Sequence, residues 1–212
     1  MSKTAITVGS VIVMFAAATP ALAGDFYIYG SFGRSDFGLD KNTVDGNVRN
    51  ALVSHGLTDT FTSSLNNKDD GYKLQAGYQF NPYVAIEGGY VQLGRAKYSV
   101  TYQGTTSNAE IDVSGWDFSV VGILPIGSQF NLFAKVGRST FVGKEKASVA
   151  GVSLDTGEDQ TRVGGTYGVG ASYSLTKETS LRIEYERFNL SGSGWTGDPK
   201  IKLITLGAAY KF

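Results

Sequence analysis

Hydrophobic and polar residues alternate with a period of two over most of this chain, the mark of strands with one greasy and one polar face. In 200–212, Ile204, Leu206, Ala208, Tyr210 and Phe212 share one face, opposite Leu203, Thr205, Gly207, Ala209 and Lys211. Segment 180–190 sets Leu181, Ile183 and Tyr185 against Arg182, Glu184 and Glu186. In 163–175, Val163, Tyr167, Val169, Ala171, Tyr173 and Leu175 oppose a face of glycine, serine and threonine. The same alternation marks 26–33, 71–80, 83–91, 115–124 and 130–137. No convincing amphipathic helix follows Gly24, so the pattern predicts eight strands. Most are about ten residues, the length a tilted strand needs to cross a bilayer.

The polar face decides which solvent the greasy face meets. A soluble barrel that binds an apolar ligand would turn the greasy face inward and the polar face to water. A solvated face has no need of so many glycines, which weaken strands. A narrow interior does, because small residues leave room for Lys73, Glu87, Lys135, Arg182 and Glu184. The greasy face is therefore expected to meet lipid. The connections alternate as well. They are short at 81–82, 125–129 and 176–179, and long and polar at 34–70, 94–114, 138–162 and 191–199. Short turns at one end and long loops at the other mark an outer-membrane barrel. Tyr78, Phe80, Tyr83, Tyr173, Tyr210 and Phe212 fall near the short turns, and Phe32, Tyr90 and Trp116 toward the other rim, as interfacial girdles do. The predicted fold is an all-β, eight-stranded antiparallel up-and-down transmembrane β-barrel spanning 24–212. Its first loop, 35–70, is long enough to be partly disordered.

Composition agrees and narrows the choice. The chain has 28 glycines, 12 Tyr, 12 Phe and no cysteine, with 19 basic against 19 acidic residues. Its mean hydropathy of −0.09 leaves little room for a spanning helix of about 20 apolar residues. The lack of cysteine excludes a disulfide framework, and the balanced charge offers no basic excess for a nucleic acid. Lys3 is the one charge before Asp25, residues 5–18 are apolar or small, and Ala21-Leu22-Ala23 follows. That is the layout of a secretory signal peptide over 1–23, cleaved after Ala23, with export to the bacterial outer membrane as the expectation.

One stretch carries more than a pattern. Gly77-Tyr-Gln-Phe-Asn-Pro-Tyr-Val-Ala-Ile-Glu-Gly-Gly-Tyr90, followed by Leu93-Gly94-Arg95, closely resembles the second hairpin of the membrane domain of the outer membrane protein A family. Leu124-Pro125-Ile126, Leu181-Arg-Ile-Glu-Tyr185 and Leu206-Gly-Ala-Ala-Tyr-Lys-Phe212 extend the resemblance along the strands, and it fails in the long loops. It implies periplasmic turns and extracellular loops. With the sequence closing at Phe212, the expectation is a stand-alone barrel without the family's periplasmic peptidoglycan-binding domain. Tyr210 and Phe212 look like the signal read by the barrel assembly machinery. The family's lumen holds a charged network proposed to gate a small pore. Glu87 and Arg182 match one of its pairs, while the second pair is replaced by Val121 and Ser172. Lys135 and Glu184 match further lumenal charges, and alternation adds Lys73 and Asp117.

Little chemistry stands out beyond this network. His55 is the single histidine, followed by Asp59, Ser63, Ser64, Asp69 and Asp70. A hydrolytic site needs such types, but no motif with strand context supports one, and no calcium loop is present. Gly165-Thr-Tyr-Gly-Val-Gly170 lies inside a strand and opens no helix, so it is no phosphate cradle. No enzyme activity, cofactor or metal is expected. Arg187 and Lys202 fall on the greasy parity near the loop-side ends, with Arg95, Lys97 and Arg138 just beyond. Long basic side chains there are candidates to pair lipopolysaccharide phosphates. The function read from the chain is structural and surface interaction, of adhesin or envelope-integrity type, with an extracellular partner met through the loops. The alternative is a small-conductance pore with Glu87 and Arg182 at its constriction.

Overall fold

The structure is a computed structural model that describes residues 24–57, 60–154, 160–191 and 200–212. Its elements are β1 (Asp25–Asp36), α1 (Lys41–Ser54), β2 (Thr62–Asn66), β3 (Lys68–Asn81), β4 (Val84–Tyr102), β5 (Thr105–Ile126), β6 (Phe130–Val149), β7 (Val152–Leu154), β8 (Gln160–Ser174), β9 (Thr179–Ser191) and β10 (Lys200–Lys211). Eight of the strands close a ring in the order β1-β3-β4-β5-β6-β8-β9-β10, every neighbour antiparallel. The closing pair is β1 with β10, from Tyr27↔Lys211 to Asp36↔Lys202. A closed ring leaves no lipid-facing backbone group unpaired, which is what allows a sheet to cross a bilayer. Among the described residues no helix is long and apolar enough to do so. The predicted eight-stranded barrel is the observed one. The expected leader, 1–23, and the loop 191–199, apart from the backbone of its first residue, lie outside the described residues.

The greasy parity points outward. Phe26, Leu74, Ile86, Phe118, Val136, Val169, Ile183 and Leu206 are exposed on the outer wall. Aromatic rings touch at both edges of this band. Tyr78 lies 4.7 Å from Phe26 and 4.9 Å from Phe80 near the short turns, and Tyr210 lies 5.2 Å from Phe212. Toward the loops, Tyr90 bridges Tyr72 at 6.2 Å and Trp116 at 6.0 Å. Glycine is required inside where large rings cross the lumen. A Cβ at Gly77 would lie 2.2 Å from the Tyr27 ring, and one at Gly170 would lie 2.3 Å from the Phe133 ring.

Two expectations about the loops are corrected. Segments 94–114 and 138–162 are mostly wall rather than loop. β4, β5 and β6 run for 19, 22 and 20 residues, about twice what a bilayer requires. β4 and β5 meet in the tight two-residue turn Gln103-Gly104 (φ 47° and 79°), and β6 folds back into β7 through Ala150-Gly151 (φ 51° and 80°), all four residues in the left-handed region. That geometry matches the twist of a hairpin. The first loop holds α1 and β2, where no helix was expected. Asp40 caps α1, its carboxylate accepting from Asn42 N at 3.1 Å and from the Thr43 hydroxyl at 3.2 Å. No residue of α1 is buried, so its periodic signal was weak.

Candidate functional site

The interior is layered. At the short-turn end a 240 Å³ cavity is lined by Tyr27, Gln79, Ser172, Ser180, Arg182 and Lys211, among others. Above it lies a charged layer, and above that an apolar one. Each layer follows from strand parity, because alternate residues of every strand project into the ring.

The charged layer is built chiefly by β9, which places Arg182, Glu184 and Glu186 in a row on the inner face. β3 contributes Lys73, β4 Glu87, and β6 Lys135, all of them buried. The cross-strand neighbours of the β9 charges are small, namely Ser172, Gly170 and Gly168 on β8 and Gly207 and Thr205 on β10, with Leu203 beside Glu186. Arg182 is bonded to Glu87 and to Glu184, both at 2.5 Å. Lys135 contacts Glu186 at 2.6 Å and both Glu87 and Glu184 at 3.5 Å. Lys73 is bonded to Glu184 and Glu186. The Tyr27 hydroxyl donates to Glu87 at 2.7 Å. The Arg182 guanidinium also lies 4.4 Å from the Tyr29 ring and 4.5 Å from the Phe133 ring, where aromatic faces favour a cation. Three cations and three carboxylates thus neutralise one another.

The structure brings together five of the six lumenal residues expected from sequence. Asp117 is buried but stands apart, accepting from the Ser119 hydroxyl at 2.8 Å. Glu186 belongs to the network and was absent from the expected set, although its alternation with Arg182 and Glu184 was visible. Val121 and Ser172, which replace the second pair, are a buried apolar contact and a cavity hydroxyl respectively.

Directly above, the inner face becomes apolar. Val91, Leu93, Val113, Phe141, Phe188, Leu190, Ile201 and Leu203 pack with Phe37 as one buried cluster, and the Phe141 and Phe188 rings meet edge to face at 5.2 Å. Here the expectation of a polar interior fails, because these levels lie beyond the lipid band. The wall outside them is polar. Arg95 contacts Glu110 at 3.3 Å and Asp69 at 3.5 Å, and Lys97 contacts Glu110 at 3.2 Å. Partial burial pushes the Glu110 carboxyl up, but Lys97 and Arg95 outweigh it and hold the group below its usual range. α1 is tied down through Asp45. Its carboxylate accepts from Lys41 at 2.5 Å, from the Ser63 hydroxyl at 2.7 Å and from the Tyr98 hydroxyl at 2.7 Å. Those hydrogen bonds lower its pKa to about 2.

The hydrolytic candidates do not converge. His55 Nδ1 lies 2.8 Å from the Ala51 carbonyl at the end of α1. Ser63 is held by Asp45 and Lys41, Asp69 by Arg95, and Asp70 by Arg34 at 3.0 Å. Ser64 lies on β2 opposite Ser99, and Asp59 lies outside the described residues. Among the basic rim candidates, Arg187 and Lys202 are cross-strand partners on the outer face of β9 and β10. Tyr210 and Phe212 lie on the outer face at the end of the last strand, both exposed.

The family described as "Outer membrane protein beta-barrel domain" matches residues 6–212. The chain belongs to that family. It is an outer-membrane β-barrel of the outer membrane protein A type. It is 27% identical over 216 residues to outer membrane protein A of Klebsiella aerogenes, a match covering 100% of this chain and 56% of the relative. It is 29% identical over 159 residues to that of Escherichia coli O157:H7, covering 71% and 43%. The chain therefore spans about half the length of these curated relatives. Two solved structures share the fold. OprG from Pseudomonas aeruginosa aligns with a TM-score of 0.55 at 16% identity, covering 90% of this chain and 96% of that one. Neisserial surface protein A aligns with a TM-score of 0.53 at 16% identity, covering 88% and 97%.

Proposed function

We propose that the protein works by contact at the cell surface, as an adhesin or envelope-integrity protein, and that it carries out no catalytic step. The observation that supports this most is the water-facing storey above the lipid band. There the extended β4–β5 hairpin, the β6–β7 hairpin and α1 form a rigid platform. Rigid scaffolds commonly present recognition surfaces in this way. The fragment 1–23 is read as a leader removed after Ala23 on export. Tyr210 and Phe212 are read as the end of the strand offered to the barrel assembly machinery.

The decisive experiment removes the helical part of the platform and keeps the barrel. Deleting 41–57 should leave a heat-modifiable, detergent-requiring barrel and abolish the surface phenotype of the full chain, whether attachment or envelope resistance. An unchanged phenotype would overturn the reading. The pore alternative gains no support from the interior, where the ion pairs and the apolar cluster lie in series. The folded protein should show no steady conductance in a planar bilayer. A stable conductance that Arg182→Ala alters would reinstate the pore.

A further inference from the structure

The two halves of the ring differ at the loop-side edge of the lipid band. Following each strand upward, the first outward charge is Arg34 on β1, Asp70 on β3, Arg95 on β4 and Asp112 on β5. These compensate one another. Arg34 is bonded to Asp70, Arg95 to Glu110 and Asp69, and Asp112 accepts from the Gln92 amide at 2.5 Å. On the other half the first outward charges are Arg138 on β6, Arg187 on β9 and Lys202 on β10, while β8 carries none at this level. Among the described residues, none of these three side chains has a hydrogen bond or ion pair.

Three details make this more than ordinary rim charge. Arg187 and Lys202 face each other directly across β9 and β10, an arrangement in which like charges destabilise a sheet. The Nε of Arg187 is shut off from water and has no partner. Asp36, the cross-strand neighbour of Lys202 on β1, turns its carboxylate to the Gly38 N–H at 2.9 Å. Between Arg138 and Asn189, the outward position of β8 is Gly165, where a side chain would meet nothing within 4 Å. The wall therefore has an open indentation flanked by unneutralised cations, with Tyr167, Tyr185 and Ile204 exposed below it. An anion resting there would relieve the Arg187–Lys202 repulsion, and an acyl chain attached to it would run down the apolar wall.

We infer that the outer wall of β6, β8, β9 and β10 binds the phosphorylated headgroup of an outer-leaflet lipid. Arg187 and Lys202 share one phosphate, and Arg138 meets a second across Gly165. Arg95 and Lys97, already engaged by Glu110, stay outside the site. The lipid contact is thereby one-sided.

The test uses the full chain, folded in detergent, with heat-modifiable migration as the check on folding. Diphosphorylated lipid A is titrated and the bound lipid is counted by native mass spectrometry. Replacing Arg138, Arg187 and Lys202 with Gln should weaken binding about a hundredfold, from three interfacial cations lost. Arg95→Gln with Lys97→Gln should stay within about twofold of the parent, since both are already paired. Fully dephosphorylated lipid A should bind weakly to every variant. The inference is overturned if the triple variant binds like the parent or if both sets lose equally. It also fails if the dephosphorylated lipid binds as well, or if excess inorganic phosphate displaces the lipid. Should the triple variant not fold, Arg187→Gln alone must weaken binding and Arg187→Lys must restore it.

Discussion

Between the aromatic girdles, the outer wall shows Phe118, Val120, Val136 and Ile183, and the inner wall shows Lys73, Glu87, Lys135 and Glu186. A few residues farther along the same strands the pattern is reversed. Arg95, Lys97, Glu110 and Asp112 face out, and Leu93, Val113, Phe141 and Leu203 face in. The backbone and its hydrogen bonding are continuous through the change, so the difference comes from the surroundings. In the bilayer the hydrophobic effect gives no reason to hide apolar side chains, because lipid tails are as apolar as leucine. The narrow lumen there is filled by ion pairs that satisfy one another. Above the bilayer, water surrounds the wall and drives the apolar side chains inward, as in a soluble barrel. The boundary passes between Glu186 and Phe188 on β9 and between Thr205 and Leu203 on β10. One barrel thus holds two cores, one ionic and one apolar.

The comparison can be broken most severely in the ionic core. Arg182→Ala leaves the buried Glu87 and Glu184 with fewer partners, and should cost about 3–5 kcal/mol in urea unfolding from vesicles. Removing Arg182 and Glu87 together, as Arg182→Met with Glu87→Gln, should cost less than the single change. A larger loss would mean that the network is not a set of mutually compensating ions. In the apolar core, Leu203→Ala should cost about 2–5 kcal/mol through the cavity it leaves. The same assay applies, and a negligible change would show that the upper interior is loosely packed. Charge placement on the outer wall should divide at the girdle. Val120→Arg, midway between the girdles, should cost about 2–4 kcal/mol, whereas Thr140→Arg on the polar side should stay within about 0.5 kcal/mol.

The smallest effect concerns α1. Asp45→Asn keeps the shape and removes the charge that Lys41 contacts, and should speed amide exchange in α1 while leaving the barrel strands protected. Acid tests the same contact. The Asp45 carboxyl is lowered from its ordinary 3.8 to about 2. Its contribution to holding α1 is therefore complete above pH 3.8 and lost as pH falls toward 2. Exchange in α1 that rises already near neutral pH would mean that another group holds the helix.

Much of the bilayer segment was legible because alternation is a local property. The run Arg182, Glu184, Glu186 against Leu181, Ile183, Tyr185 shows its two faces without any knowledge of neighbours, and Glu186 was readable on the same grounds as Glu184. The upper wall was harder. Glu110, Asp112 and Ser114 alternate with Ile111, Val113 and Gly115, but their low hydropathy resembles that of a loop. The signal that would have found them is the Gln103-Gly104 turn between two period-two runs. α1 was hidden for a different reason, since it buries no residue and leaves no apolar stripe to find.

By itself, the sequence determined the number of membrane strands, the face each presents to lipid and the charges available inside, because each follows from parity within one strand. Tertiary structure alone decided which charges meet. Lys73 reaches Glu184 across 111 positions of chain, and Asp117, equally inward by parity, joins no ion pair. It also decided where the interior turns from ionic to apolar, and it set Arg187 beside Lys202 while giving Arg95 and Lys97 to Glu110. These outcomes depend on the register between strands and on where the bilayer ends, and no single strand carries either.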